Sequence, residues 1–227
     1  MTQEASVDTL SPTQLLADRL RSDLARGEYH PRERLVESEL VSRYGFARAT
    51  VRGALVQLAT EGLVERSPHR GASVRSLSID EGIELAEVRR ELEALCARDA
   101  AVKATAQERE QMRAALEAMR FASDSADVHS YRQASIAFHE SVIALSRHDG
   151  ARRQLAAIRN HNLQRHFPIA FQNGEFSDSS HDHFEIGEAI ITGDASAASD
   201  AMRRHLDRIV AMLRSHGVTQ AQSQLSP

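Results

Sequence analysis

Between Ser11 and Val74 the chain is cut by glycines into pieces that fit one arrangement, three helices followed by a hairpin. Leu16, Leu20 and Leu24 repeat every four residues from Pro12 to Ala25, and Gly27 stops that amphipathic run. The pattern predicts a second helix over about Glu37–Tyr44, broken by Gly45. A third runs from Ala47 to Thr60 and is ended by Gly62. Two short helices joined at a glycine form a helix-turn-helix. In the third helix Val51, Leu55 and Leu58 share one face, while Arg48 and Arg52, four residues apart, share another. Leu63-Val64-Glu65-Arg66, then Ser67-Pro68-His69-Arg70-Gly71, then Ala72-Ser73-Val74 read as strand, turn and strand, a β-wing behind the third helix.

Charge supports a nucleic-acid role only when it is divided along the chain. The formal charge is −4, but residues 1–78 hold 11 arginines against 10 acids, and residues 79–227 hold 17 basic against 22 acidic side chains. Within 43–75 the basic residues are Arg43, Arg48, Arg52, Arg66, Arg70 and Arg75, against Glu61 and Glu65 alone, a local excess suited to phosphate. The aromatic fraction of 4 %, without tryptophan, predicts aliphatic and alanine-rich helix packing. The single Cys96 excludes an intrachain disulfide and a zinc ribbon, and reads as a small buried hydrophobe in a reducing compartment. No run of about 18 apolar residues occurs and the N-terminus lacks a hydrophobic leader, so the expected location is the cytoplasm, with no membrane partner.

The run Glu37-Ser38-Glu39-Leu40, followed by Arg48-Ala49-Thr50-Val51-Arg52, Leu55, Leu58, Glu61-Gly62-Leu63-Val64 and Pro68-His69-Arg70-Gly71, resembles the DNA-binding domain of the GntR family of transcription regulators. The resemblance implies contact with double-stranded operator DNA by Ser38, Arg48, Thr50, Arg52, His69, Arg70 and Gly71, in a homodimer acting as a repressor. Arg48 and Arg52 carry most of that expectation, because a guanidinium can donate twice to guanine or clamp a phosphate. Two positions depart from the family pattern. Ala47 stands where a serine or threonine caps the recognition helix, and Gly53 stands where glutamate follows the second arginine; each predicts a softer helix.

From Ser78 onward the pattern is continuously helical. Ser78-Ile79-Asp80-Glu81 and Thr105-Ala106-Gln107-Glu108 both carry the capping-box signature, marking helix starts near 79 and 106. Further helices are predicted at about 127–146, 151–167, 180–192 and 195–215, six in all. The expected fold is therefore mainly α: a winged helix-turn-helix over 8–77 and an all-α bundle over 78–217, with disordered tails at 1–7 and 218–227.

Three histidines fall on otherwise apolar helix faces. His139 lies between Ser135 and Ile143, His183 precedes Ile186 and Ile190, and His205 shares a stripe with Ala198, Met202 and Ile209. A lone inward histidine is usually a satisfied core residue, but three from three helices have a divalent cation as their natural common partner. Phe138-His139, then His183 with Ala189, Gly193-Asp194 and Ala198, then His205-Leu206 resemble the helical FCD domain of the FadR subfamily. That resemblance implies a site for zinc, nickel or manganese made by one aspartate and three histidines, with the aspartate four residues before the first histidine. Here that position is Ser135, a poorer ligand, and three neutral imidazoles leave the ion's charge for an outside anion to balance. Arg89 lies on the stripe of Leu85, Leu92 and Cys96, where its guanidinium requires an anion. The resemblance places Arg89 in an effector cavity for a small carboxylate, with His161 and Arg165 as weaker candidates; an ion pair with Glu93 is the structural alternative. An enzyme is not expected, because no His-Glu-x-x-His segment occurs and Glu140 and Glu185 fall at offsets that do not face the histidines. A purely structural metal without an effector stays open.

Overall fold

The structure is a computed structural model that describes residues 10–67, 71–125, 127–159 and 176–225. The chain divides into two compact units that meet in sequence at Leu77 and Ser78.

In the first unit, helix α1 (Pro12–Arg26) starts where the Ser11 hydroxyl accepts from the Gln14 N–H at 3.2 Å, and stops at Gly27, whose φ of 87° is the left-handed conformation that closes the helix. A two-residue strand β1 (Arg34–Leu35) precedes α2 (Glu37–Tyr44) and α3 (Arg48–Thr60). Strands β2 (Val64–Ser67) and β3 (Gly71–Val74) follow, and the antiparallel sheet has the order β1-β3-β2, with Arg34 opposite Ser73 and Val64 opposite Val74. Strand β1 has no periodic signature in the sequence, since two residues are too few to alternate. Leu16, Leu20, Leu40, Leu55 and Leu58 from the helices and Val64, Ala72 and Val74 from the sheet form one core. Polar contacts also pin helix α2 at the edge of that core: the Tyr44 hydroxyl donates to Asp23, and the Arg43 guanidinium lies 5.0 Å from the centre of the Tyr29 ring.

The departures noted in the recognition helix resolve differently. Ala47 is indeed the N-cap of α3, and no side chain caps that end. Gly53 has a packing reason: a Cβ there would come within 2.9 Å of Thr13 Cγ2 and 3.2 Å of its Oγ1, so α1 crosses α3 where α3 has no side chain.

The second unit is a bundle of α4 (Ile79–Lys103), α5 (Ala106–Asp124), α6 (Val128–Leu145), α7 (Asp149–Arg159), α8 (Phe176–Thr192) and α9 (Ala195–Leu225). Both predicted capping boxes are formed, Ser78 with Glu81 and Thr105 with Glu108. Ala94, Ala97, Ala100 and Ala101 make one face of α4 small enough for close packing, and Ala198, Met202 and Leu206 of α9 belong to the same core. Arg109 ties two helix ends together, donating to Ala101 O and Ala104 O of the α4 end and to Ile191 O of the α8 end at 2.6–3.1 Å. Helix α9 continues through Gly217 to Leu225, whereas the sequence reading placed a disordered tail after Gly217. The stretch 218–225 holds three glutamines, an alanine and a leucine, all good helix formers, and these outweigh the single glycine. Residues 1–7 and the C-terminal part of the helix predicted to reach 167 lie outside the described residues.

Candidate functional site

On the winged-helix unit, Arg48 and Arg52 project from α3 with side chains 63 % and 60 % exposed, Ser38 is exposed on α2, and Thr50 is half-buried. Gly71 opens β3 at φ 81°, a conformation that favours glycine at the wing's tip, while His69 and Arg70 lie outside the described residues. Glu37, in the first turn of α2, organises the arginines. Arg52 Nε donates to both Glu37 carboxylate oxygens at 2.9 Å, and Arg48 Nε lies 4.0 Å from Oε2. The hydrogen bond to Glu37, followed by its charge, holds the Arg52 guanidinium above its ordinary pKa. Arg34 from β1 and Arg66 from β2 join Arg52 and Glu37 around one cleft between wing and recognition helix. Sequence reading missed Arg34 and Glu37 as members of this face, because the strand that carries Arg34 is invisible to periodicity and a helix N-terminal glutamate has an ordinary dipole role.

In the helical unit the three predicted histidines converge. His139 on α6, His183 on α8 and His205 on α9 are 6 %, 0 % and 5 % exposed, and each offers a nitrogen within 4.8 Å of the others. His139 Nε2 and His183 Nε2 are 3.2 Å apart, and Ser135 Oγ lies 3.3 Å from the same His183 nitrogen. Two nitrogens bound to one tetrahedral zinc at ~2.0–2.1 Å stand ~3.3 Å apart, so the spacing fits a shared cation.

The Nδ1 atoms all face oxygen. His139 Nδ1 is 2.7 Å from Glu93 Oε2, His205 Nδ1 is 3.4 Å from Asp182 Oδ2, and His183 Nδ1 shares a hydrogen bond of 3.1 Å with the Tyr131 hydroxyl. Edges of the Phe138 and Tyr131 rings close the apolar side around His183. A carboxylate at Nδ1, as at His139 and His205, leaves the lone pair at Nε2, which is the tautomer a metal needs, whereas the Tyr131 hydroxyl at His183 Nδ1 can donate or accept. The donor set therefore fits a divalent ion held by His139, His183 and His205, with Ser135 as a neutral neighbour. Bound there, the ion would supply a Lewis-acidic position able to hold an anion.

Arg89 already has an anion. Its Nε donates to Glu93 Oε1 at 2.9 Å, and Glu93 is completely buried, so the structural alternative weighed from the sequence is the contact present. His161 and Arg165 lie outside the described residues. Glu140 is exposed, and Glu185 accepts from Arg204 at 2.9 Å; neither is among the residues grouped at the cluster. The acidic residues that do approach the histidines, Glu93 and Asp182, carry no motif. Glu93 lies 46 positions before His139, and Asp182 adjoins a different histidine from the one it meets.

A winged helix-turn-helix with exposed arginines, followed by a helical domain enclosing polar side chains, defines a transcription regulator with a separate sensory domain. Residues 12–74 match the family described as bacterial regulatory proteins, gntR family, and residues 84–208 match the FCD domain. The chain is 24 % identical over 206 residues to the regulator BphR of Paraburkholderia xenovorans, covering 88 % of this chain and 84 % of that protein. It is 28 % identical over 170 residues to a probable D-xylose utilization operon transcriptional repressor of Paenarthrobacter nicotinovorans, covering 75 % and 74 %. The fold matches that of McbR/YncC of E. coli with a TM-score of 0.77 at 18 % identity, over 92 % of this chain and 99 % of that one. The chain belongs to the GntR family of bacterial regulators, with a C-terminal FCD domain, and its relatives are regulators rather than enzymes.

Proposed function

We propose that this chain is a homodimeric cytoplasmic repressor that reads double-stranded operator DNA with Arg48 and Arg52, and whose grip responds to a small carboxylate bound at a divalent ion among His139, His183 and His205. The observation that carries this reading is the cluster of three buried imidazoles whose Nδ1 atoms face oxygens while two Nε2 atoms meet at 3.2 Å. Three imidazoles and a hydroxyl suit zinc or nickel better than manganese, which prefers carboxylate oxygen. The repressor role is supported by the relative described as a probable D-xylose utilization operon transcriptional repressor. Ser38, Thr50, Gly71, His69 and Arg70 complete the proposed DNA face. Arg89, with His161 and Arg165, completes the proposed effector pocket, where an incoming carboxylate shares Arg89 with Glu93.

The test uses the full chain without a tag and a duplex selected by that chain from a random library. One zinc per chain is expected after loading, with loss of that ion in His183→Ala. Small carboxylates should then change duplex affinity at least about tenfold, a coupling of about 1.4 kcal/mol. Saturation of the cavity with no change in DNA affinity would refute effector control. A second reading, a purely structural ion, is favoured by the Arg89–Glu93 pair, which satisfies the arginine without an effector. It predicts that metal removal lowers the melting temperature while carboxylates leave DNA binding unchanged.

A further inference from the structure

We propose that Glu93 and Asp182 are positioning residues for the ion of this cavity, each joining one arginine to one histidine so that the imidazoles present Nε2 inward. The inference rests on the reading that the three histidines hold a metal, and deepens it by assigning roles to residues behind them.

The two carboxylates are built alike although nothing in the sequence relates them. Glu93 on α4 uses Oε1 for Arg89 at 2.9 Å and Oε2 for His139 Nδ1 at 2.7 Å. Asp182 on α8 uses Oδ1 for Arg208 at 3.0 Å and Oδ2 for His205 Nδ1 at 3.4 Å. Glu93 is 0 % and Asp182 1 % exposed. The arginines engage Oε1 and Oδ1, while Glu93 Oε2, His139 Nδ1 and Asp182 Oδ2 lie close to their partners as charge contacts without hydrogen-bond alignment, so the buried negative charge is left for an inward cation to balance. The arginine in each relay lies on the outer side, with side chains 16 % exposed for Arg89 and 48 % for Arg208. The negative end of each relay therefore faces a histidine.

An imidazole whose Nδ1 faces a carboxylate carries its hydrogen there, and becomes a stronger donor at Nε2. This arrangement answers the substitution at Ser135. The ion meets neutral donors only, and negative charge stands directly behind two of them instead of inside the coordination sphere. His183 differs, because its Nδ1 partner is the Tyr131 hydroxyl, which can donate or accept. With the His139 hydrogen on Nδ1, the hydrogen between His139 Nε2 and His183 Nε2 belongs to His183 in the metal-free chain, and Tyr131 donates to His183 Nδ1. To offer Nε2 to an ion, His183 would carry its hydrogen on Nδ1, with the Tyr131 hydroxyl as its acceptor.

The experiment compares the full chain, stripped with chelator, with Glu93→Gln, Glu93→Ala, Asp182→Asn, Asp182→Ala and the exposed control Glu140→Gln. Zinc affinity is measured by competition with a chromophoric chelator, and imidazole tautomers by long-range nitrogen NMR. Zinc affinity should fall about 10–100-fold in the alanine variants and also fall in Glu93→Gln, whose single amide oxygen cannot face both Arg89 and His139 Nδ1. The control should bind as the parent does. In the metal-free parent, His139 and His205 should carry hydrogen on Nδ1 and His183 on Nε2, with zinc shifting His183 alone. Parent-like zinc affinity in both alanine variants, or hydrogen on Nε2 of His139 and His205, overturns the proposal. If an alanine variant loses its helical circular dichroism, the nearly isosteric Glu93→Gln and Asp182→Asn decide: unchanged affinity in both counts against it. A parent chain that takes up no zinc sinks the metal reading itself, and the tautomers still judge the two relays separately.

Discussion

Glu37 holds Arg52 through both carboxylate oxygens and stands within 4.0 Å of Arg48, so the arginines proposed to read DNA are oriented before DNA arrives. The same carboxylate competes with phosphate for them. Glu37→Gln should raise affinity for duplex of arbitrary sequence and steepen its salt dependence by up to about one released counterion, measured by anisotropy across a potassium chloride series. Arg48→Ala, in contrast, should lose about 1–3 kcal/mol of discrimination for the selected duplex with the fold intact; unchanged discrimination would remove Arg48 from base reading. Glu108 supplies the pH prediction. The Thr105 backbone N–H, then Arg147 and the Thr105 hydroxyl, hold its carboxyl down at about 2 from an ordinary 4.5. A lowered value means that the folded state favours the carboxylate. Its contribution is complete above about pH 4.5 and is lost as pH falls toward 2. Glu108→Gln should flatten that part of the acid-side decline in melting temperature, and a parent-like decline would show that the box contributes nothing measurable.

Among elements, the recognition helix shows how far sequence carries and where it stops. Its core face of Val51, Leu55 and Leu58, its arginine face and its uncapped start at Ala47 were all legible, because each depends on neighbours within one or two turns. Gly53 read only as a weak helix former. Its reason is Thr13, forty positions away on α1, and no local rule reports a contact of that kind. Gly53→Ala alone should therefore fail to stabilise the unit. In a Thr13→Ala background the same change should gain about 0.5–1 kcal/mol, read by chemical denaturation of both pairs. Equal effects in both backgrounds would mean that Thr13 does not limit the site. The same contrast holds in the bundle. The histidine cluster was legible because three helical stripes each carried one imidazole, and the capping boxes because four consecutive residues define them. Glu93, Asp182 and Tyr131 escaped as partners because each meets its histidine across a helix interface that sequence spacing does not encode. Arg109 escaped likewise, since its acceptors are carbonyls at the ends of two other elements.

At the scale of the whole molecule, the proposed regulator divides its chemistry. The unit that ends at Leu77 carries the exposed arginines, and the unit that begins at Ser78 carries the buried imidazoles. A homodimer would present two recognition helices to symmetric half-sites about one helical turn apart. A ligand can alter that grip only by binding two conformations of the protein with different affinity. The proposed regulation therefore requires a coupling between cavity and DNA. It is measured most directly by titrating the selected duplex with the full chain in three states: metal-stripped, zinc-loaded, and zinc-loaded with a saturating small carboxylate. DNA affinities should differ at least about tenfold between the second and third states, with the difference abolished in His183→Ala. Identical affinities in the second and third states, with one zinc bound per chain and the cavity saturated, would contradict that coupling.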